Sequence, residues 1–146
     1  MVFHKEENIN EYADYFHDGT VHDIFHKKNK LTISMESAEL LPEWNKDNIM
    51  LSKRKTISGK LHINQIDYIQ INRQKYTKIL RKMFDIGNIY DFSIRDFKLV
   101  LLVSWDNYSI HPPEETDVFT IEVNAKKIYW ENIPTLFDAY WDALDD

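Results

Sequence analysis

The sequence predicts one α+β domain, residues 1–146. Its expected core is a largely antiparallel sheet of about six strands, joined by an N-terminal helix, a central basic amphipathic helix and a C-terminal helix. Three observations lead there. Several segments alternate apolar and polar residues with a period of two, as Leu31, Ile33 and Met35 do against Thr32, Ser34 and Glu36. Other segments space their apolar residues for one face of a helix. A length of 146 residues with 43% hydrophobic content suffices for a single core, and no linker or repeat divides the chain.

The elements follow in order. Residues 8–16 place Ile9, Tyr12, Ala13 and Phe16 at helical spacing, with Asn8 or Asn10 as a cap. Residues 20–27 and 30–37 form a predicted hairpin around Lys28 and Asn29, and a polar loop over 40–54 surrounds Pro42 and Asn45. A strand over 56–64 carries Leu61 and Ile63 and continues toward Ile71. Over 73–84 the period changes, with Tyr76, Ile79, Leu80 and Met83 on one helical face. Residues 88–95 and 97–105 give a second hairpin, in which the run Leu99 to Val103 predicts a strand buried on both faces. After a Pro112-Pro113 turn, Phe119, Ile121 and Val123 alternate along a strand over 117–130. Pro134 opens the last helix, whose stripe carries Leu136, Phe137, Tyr140, Trp141 and Leu144.

Composition excludes several kinds of chemistry. With no Cys there are no disulfides, thiolate zinc sites or cysteine nucleophiles. The P-loop, dinucleotide, nucleophile-elbow and H-E-x-x-H patterns are missing from the sequence. The first residues carry no apolar run of signal length, and the longest apolar stretch, Leu99 to Val103, falls far short of a membrane span; a cytoplasmic location is expected. His22 and His26 invite a metal reading, but on a strand they stand about 13 Å apart, too far to share one ion. Neither a metal nor a cofactor is expected.

Charge is strongly partitioned. The net charge of -6 conceals +8 in residues 53–82 and -8 in residues 106–146. Arg73, Lys75, Lys78, Arg81 and Lys82 would line one helix face as phosphate contacts, or solvate a helix whose other face is core. The chain's overall charge repels nucleic acid and favours the second reading.

Phe16-His17-Asp18-Gly19 reads as a tight structural turn, in which Gly19 supplies a positive φ and Asp18 binds nearby amides. Together with Val21 these residues match an F-H-D-[AG]-x-[VI] turn that resembles the opening of small bacterial domains. Some of those resemble immunity proteins of polymorphic toxin systems. The likeness covers mainly residues 16–39. It implies a cytosolic, non-enzymatic protein that blocks a toxin domain by binding it. An acidic surface then becomes the expected contact: Glu114, Glu115 and Asp117 before the last strand, and Asp138, Asp142 and Asp145 on the last helix. The alternatives are an enzyme with an unrecognised carboxylate or His site, lined by His17 or His62, a nucleic-acid-binding module using residues 53–82, and self-association through strand edges.

Overall fold

The structure, a computed structural model, describes residues 3–5, 13–107, 112 and 114–145. Among these residues nine strands run in chain order: β1 (Phe3–Lys5), β2 (Thr20–Lys27), β3 (Lys30–Glu36), β4 (Ser58–Ile71), β5 (Gln74–Lys75), β6 (Ile86–Arg95), β7 (Lys98–Asn107), β8 (Glu114–Glu115) and β9 (Phe119–Asn132). Short 3-10 turns occupy Ala13–Phe16 and Pro42–Trp44, and one α-helix, α1, spans Asp138–Asp145. No helix among the described residues is long and apolar enough to cross a membrane.

The predicted α+β class is therefore corrected to a mostly β fold, with 53% of the structure in strands. Six strands close an antiparallel barrel in the order β4-β3-β2-β6-β7-β9, with β9 pairing back onto β4. Closure removes the long sheet edges that an open six-stranded sheet would present to other chains. β1, β5 and β8 add short pairings to β9, β4 and β7.

Both predicted hairpins form. β2 and β3 meet with Lys27 opposite Lys30, and β6 and β7 with Arg95 opposite Lys98. The alternating residues Leu31, Ile33 and Met35, Leu61 and Ile63, and Ile121 and Val123 fill the interior. β7 is corrected by this geometry. Leu99, Leu101 and Val103 are buried while Val100 and Leu102 are half-buried, because a barrel wall has one inner face. Phe16 plugs the interior, edge-on to Phe92 at 5.6 Å and to Trp130 at 5.2 Å.

Two predicted helices need correction. The N-terminal one, expected over residues 8–16, lies outside the described residues up to residue 12, and its described remainder is the single 3-10 turn Ala13–Phe16. The central one is replaced by β5 and an irregular strap, residues 76–85. β2 pairs with β6 only through Thr20 and Val21, so its later backbone needs another cover. The strap supplies it: Leu80 N donates to His26 Nδ1 (2.8 Å), and Lys82 Nζ reaches the His22 carbonyl (3.5 Å). Leu80 enters the core while Ile79 and Met83 stay exposed, an outcome that a regular helix sharing one buried face would not give. The last helix forms, but starts at Asp138. Pro134 lies in preceding turns closed by Leu136 N to Ile133 O and Asp138 N to Thr135 O.

Candidate functional site

The Phe16–Gly19 turn is assembled differently from the sequence expectation. Asp18, at φ 65°, takes the left-handed conformation, and no glycine does. Gly19 is needed instead for close approach, since a Cβ there would run into the Glu36 and Phe16 carbonyl oxygens. The turn is tied by Gly19 N to Phe16 O (2.9 Å) and joined to β6 by Asp18 N to Ile89 O (2.8 Å). His17 is exposed, 3.7 Å from the Asp18 carboxylate.

Three residues later a β-bulge at His22 breaks the β2–β3 register. It turns the imidazole onto the barrel's outer surface beneath α1. There His22 Nε2 lies 2.7 Å from Glu36 Oε1, and both side chains are buried. Trp141 Nε1 donates to the same oxygen (2.7 Å), and the Thr56 hydroxyl donates to Oε2 (2.8 Å). Ser52 and Ser58 hydroxyls complete the chain at 2.7 and 2.9 Å from Thr56 Oγ1. Phe137 stacks on the imidazole at 3.8 Å, and Tyr140 meets its edge at 4.8 Å. Burial raises the Tyr140 phenol above its ordinary pKa, and the charges of Glu36 and Asp85 add to the effect. The cluster fastens α1 to the barrel. Its acid has three hydrogen-bond partners, and neither cleft described below is lined by His22 or Glu36.

A second pair lies farther along the same sheet, between β4 and β9. His62 Nε2 approaches Glu131 Oε1 at 2.7 Å and its ring stacks on Tyr129 at 4.9 Å. The described residues contain no group of three His, Asp or Glu placed to hold a metal. His26, the other residue of the expected metal question, accepts from Leu80 N and lies 3.0 Å from the Lys28 carbonyl.

The acidic residues divide between two elements. Glu114 and Glu115 form β8 on β7, with Asp117 exposed beyond it. Glu115 already accepts from Tyr90 and Ser104 (both 3.1 Å). Asp138 opens α1 half-buried, and Asp145 closes it with a side chain outside the described residues. Asp142 binds Lys53 through both oxygens (2.7 and 3.0 Å), and the Arg54 guanidinium lies 4.4 Å above the Trp141 ring. The front of the basic segment thus meets the acidic C-terminal part, while Lys75, Lys78, Arg81 and Lys82 remain exposed.

Two clefts flank the strap. One, of about 400 Å³, lies toward β2 and is lined by Phe25, His26, Ile79, Arg81 and Lys82 among others. The second, of about 380 Å³, lies toward the barrel mouth, over Ile71, Trp105, Phe119 and Ile121. Phe25 is 64% exposed, Met83 53% and Ile79 43%, so the strap region combines uncovered apolar side chains with cations. The sequence reading assigned Ile79 and Met83 to a buried helix face and left this surface unseen. The exposed Phe25 on the polar phase of β2 was its one visible sign.

No family model, curated protein or solved structure matches the chain. The functional reading therefore rests on the residues themselves.

Proposed function

We propose that the protein is a non-catalytic binding protein, an immunity-like inhibitor that covers an acidic, apolar-bearing site on a toxin domain with the outer face of its strap. The carrying observation is the β2-side cleft, where exposed Phe25 and Ile79 sit with Arg81 and Lys82 against one acid, Asp23. Aromatic and Arg anchors around an apolar centre are the composition of interface cores, and cations at the rim steer an acidic partner. Lys27, Lys28 and Lys30 extend the positive surface along the adjoining hairpin tip.

The test is co-expression with the product of the neighbouring reading frame, scored first for toxicity when expressed alone. Wild type is expected to restore growth and to co-purify with the toxin. The double variant Phe25→Ala/Arg81→Glu, folded by circular dichroism, is expected to do neither. Charge reversal of Glu114 and Asp117 is expected to leave rescue intact. Failure of wild type to rescue defeats the inhibitor reading. Loss of rescue on reversing the acids, with the strap variant still active, moves the contact to the acidic surface. Salt-sensitive retention of RNA or DNA on filters by the free protein would instead assign the cations to phosphates.

A further inference from the structure

We infer that the cleft on the barrel side of the strap binds a small aliphatic carboxylate, its hydrocarbon tail in the barrel mouth and its head on Arg81. The inference concerns a different cleft and a different ligand from the partner proposed above but shares Ile79 and Arg81 with that surface; Met83, which lines only this cleft, separates the two in the test below.

The tail site is built by three barrel strands. Ile71 ends β4, Trp105 lies near the end of β7, and Phe119 and Ile121 begin β9. Together they form an apolar floor, with Trp105 and Ile121 almost wholly buried. The strap forms the opposite wall with Ile79 and Met83, both about half exposed. A half-open apolar cleft of about 380 Å³ is within the size range of small-ligand sites, and filling it removes this surface from water.

Charge selects the head group. Among the described residues no Asp or Glu lines this cleft, and the two charged lining residues are Arg81 and Lys82. The Lys82 ammonium is turned to the His22 and Asp85 carbonyls, at 3.5 and 3.4 Å. Arg81 is exposed at the rim, and a planar guanidinium matches a carboxylate with two parallel hydrogen bonds. A cationic ligand would find no counter-charge in the lining, and a neutral one would leave the guanidinium contact unused.

The wall can also move to admit a tail. Between Tyr76 N to Ile69 O and Asp85 N to Asp106 O, the strap joins no strand ladder, and Leu80 N is held by an imidazole side chain instead of a carbonyl. Leu80 anchors the strap in the core, so the adjustment falls to the exposed Ile79 and Met83 side chains on either side of it.

Calorimetric titration of the full chain with decanoate, decanol and decyltrimethylammonium tests the assignment. Decanoate is expected to bind at one site per chain and tightest of the three, with Trp fluorescence changing over the same range. Arg81→Gln is expected to weaken decanoate about tenfold, toward the affinity for decanol. Met83→Glu, which places a carboxylate at the rim of an exposed position, is expected to weaken it at least as much. Met50→Glu, at another exposed position, is expected to change nothing. Both rim variants should keep the wild-type melting temperature. Absence of saturable decanoate binding overturns the inference. So does binding equally tight for all three probes, or binding unaffected by both rim variants.

Discussion

His22 Nε2 lies 2.7 Å from Glu36 Oε1, with both side chains sealed between the barrel wall and α1. One carboxylate thereby gathers donors from β2, from the loop before β4 and from α1. Removing it deprives the buried His22 and Thr56 and the half-buried Trp141 of their common acceptor. Glu36→Ala should therefore cost about 3 kcal/mol or more in urea unfolding, the scale found when one partner of a buried pair is deleted. Glu36→Gln, which keeps one acceptor oxygen, should cost less. Equal stability of the Ala variant and wild type would mean that α1 is not held by this cluster.

The neighbouring Lys53–Asp142 pair has comparable geometry and a different expected energy. Both side chains are more than half exposed, so solvent screens the attraction. Lys53→Ala should shift stability by no more than about 0.5 kcal/mol. A loss as large as that of Glu36→Ala would show that the pair, and not the buried cluster, positions the helix.

The residues explain which parts of this fold were legible. The hairpins were readable because their strands alternate through Leu31, Ile33 and Met35 and because their turns are local. The barrel was not, since closure is a pairing of β9 with both β4 and β7 that no short window contains. Bulges obscured it further. Val21-His22-Asp23-Ile24 and Ile89-Tyr90-Asp91-Phe92 each place an extra residue in a strand, with Asp Oδ1 accepting the next amide at 2.9 Å. An apolar spacing of three then imitates a helix and hides that His22 faces Glu36. The strap failed for a related reason: its helical periodicity was overruled by the open flank of β2. The apolar clefts beside it exist only because that helix does not.

The strap's irregular course can be checked directly. Leu80 is 3% exposed and Met83 53%. Leu80→Ala should cost about 2–4 kcal/mol, whereas Met83→Ala should cost less than about 0.5 kcal/mol. Similar losses at both positions in urea titrations would restore the amphipathic helix.

Tyr68 offers a test of the β4–β9 register. Its hydroxyl donates to Glu122 Oε2 at 2.9 Å, a bond the phenolate would lose. That hydrogen bond, with smaller help from desolvation and from the charges of Glu122 and Asp67, raises the Tyr68 pKa above 10.0. A raised folded pKa means that the contribution to stability is complete below about pH 10 and fades as pH climbs through the folded value. Difference titration of phenolate absorbance between wild type and Tyr68→Phe should show the missing tyrosine ionising late. Glu122→Gln should bring it back toward its ordinary value. An unshifted Tyr68 in wild type would contradict the pairing of Tyr68 beside Asn124 and Gln70 opposite Glu122.

The β6–β7 turn carries a different kind of strain. Asp96 and Phe97 have φ values of 50° and 66°, and two positive central residues are the mark of the tight hairpin turn that favours Asn-Gly. Asp tolerates that conformation, but an aromatic residue pays a steric penalty in it. Phe97 recovers little by packing, since 65% of it is exposed, although its carbonyl accepts from Ala125 N at 3.0 Å. Glycine keeps that backbone bond and removes the clash. Phe97→Gly should therefore stabilise the protein by about 0.5–1 kcal/mol in spite of glycine's greater freedom when unfolded. A decrease in the unfolding midpoint would mean that the Phe97 ring has a packing role in the folded chain that outweighs its backbone strain.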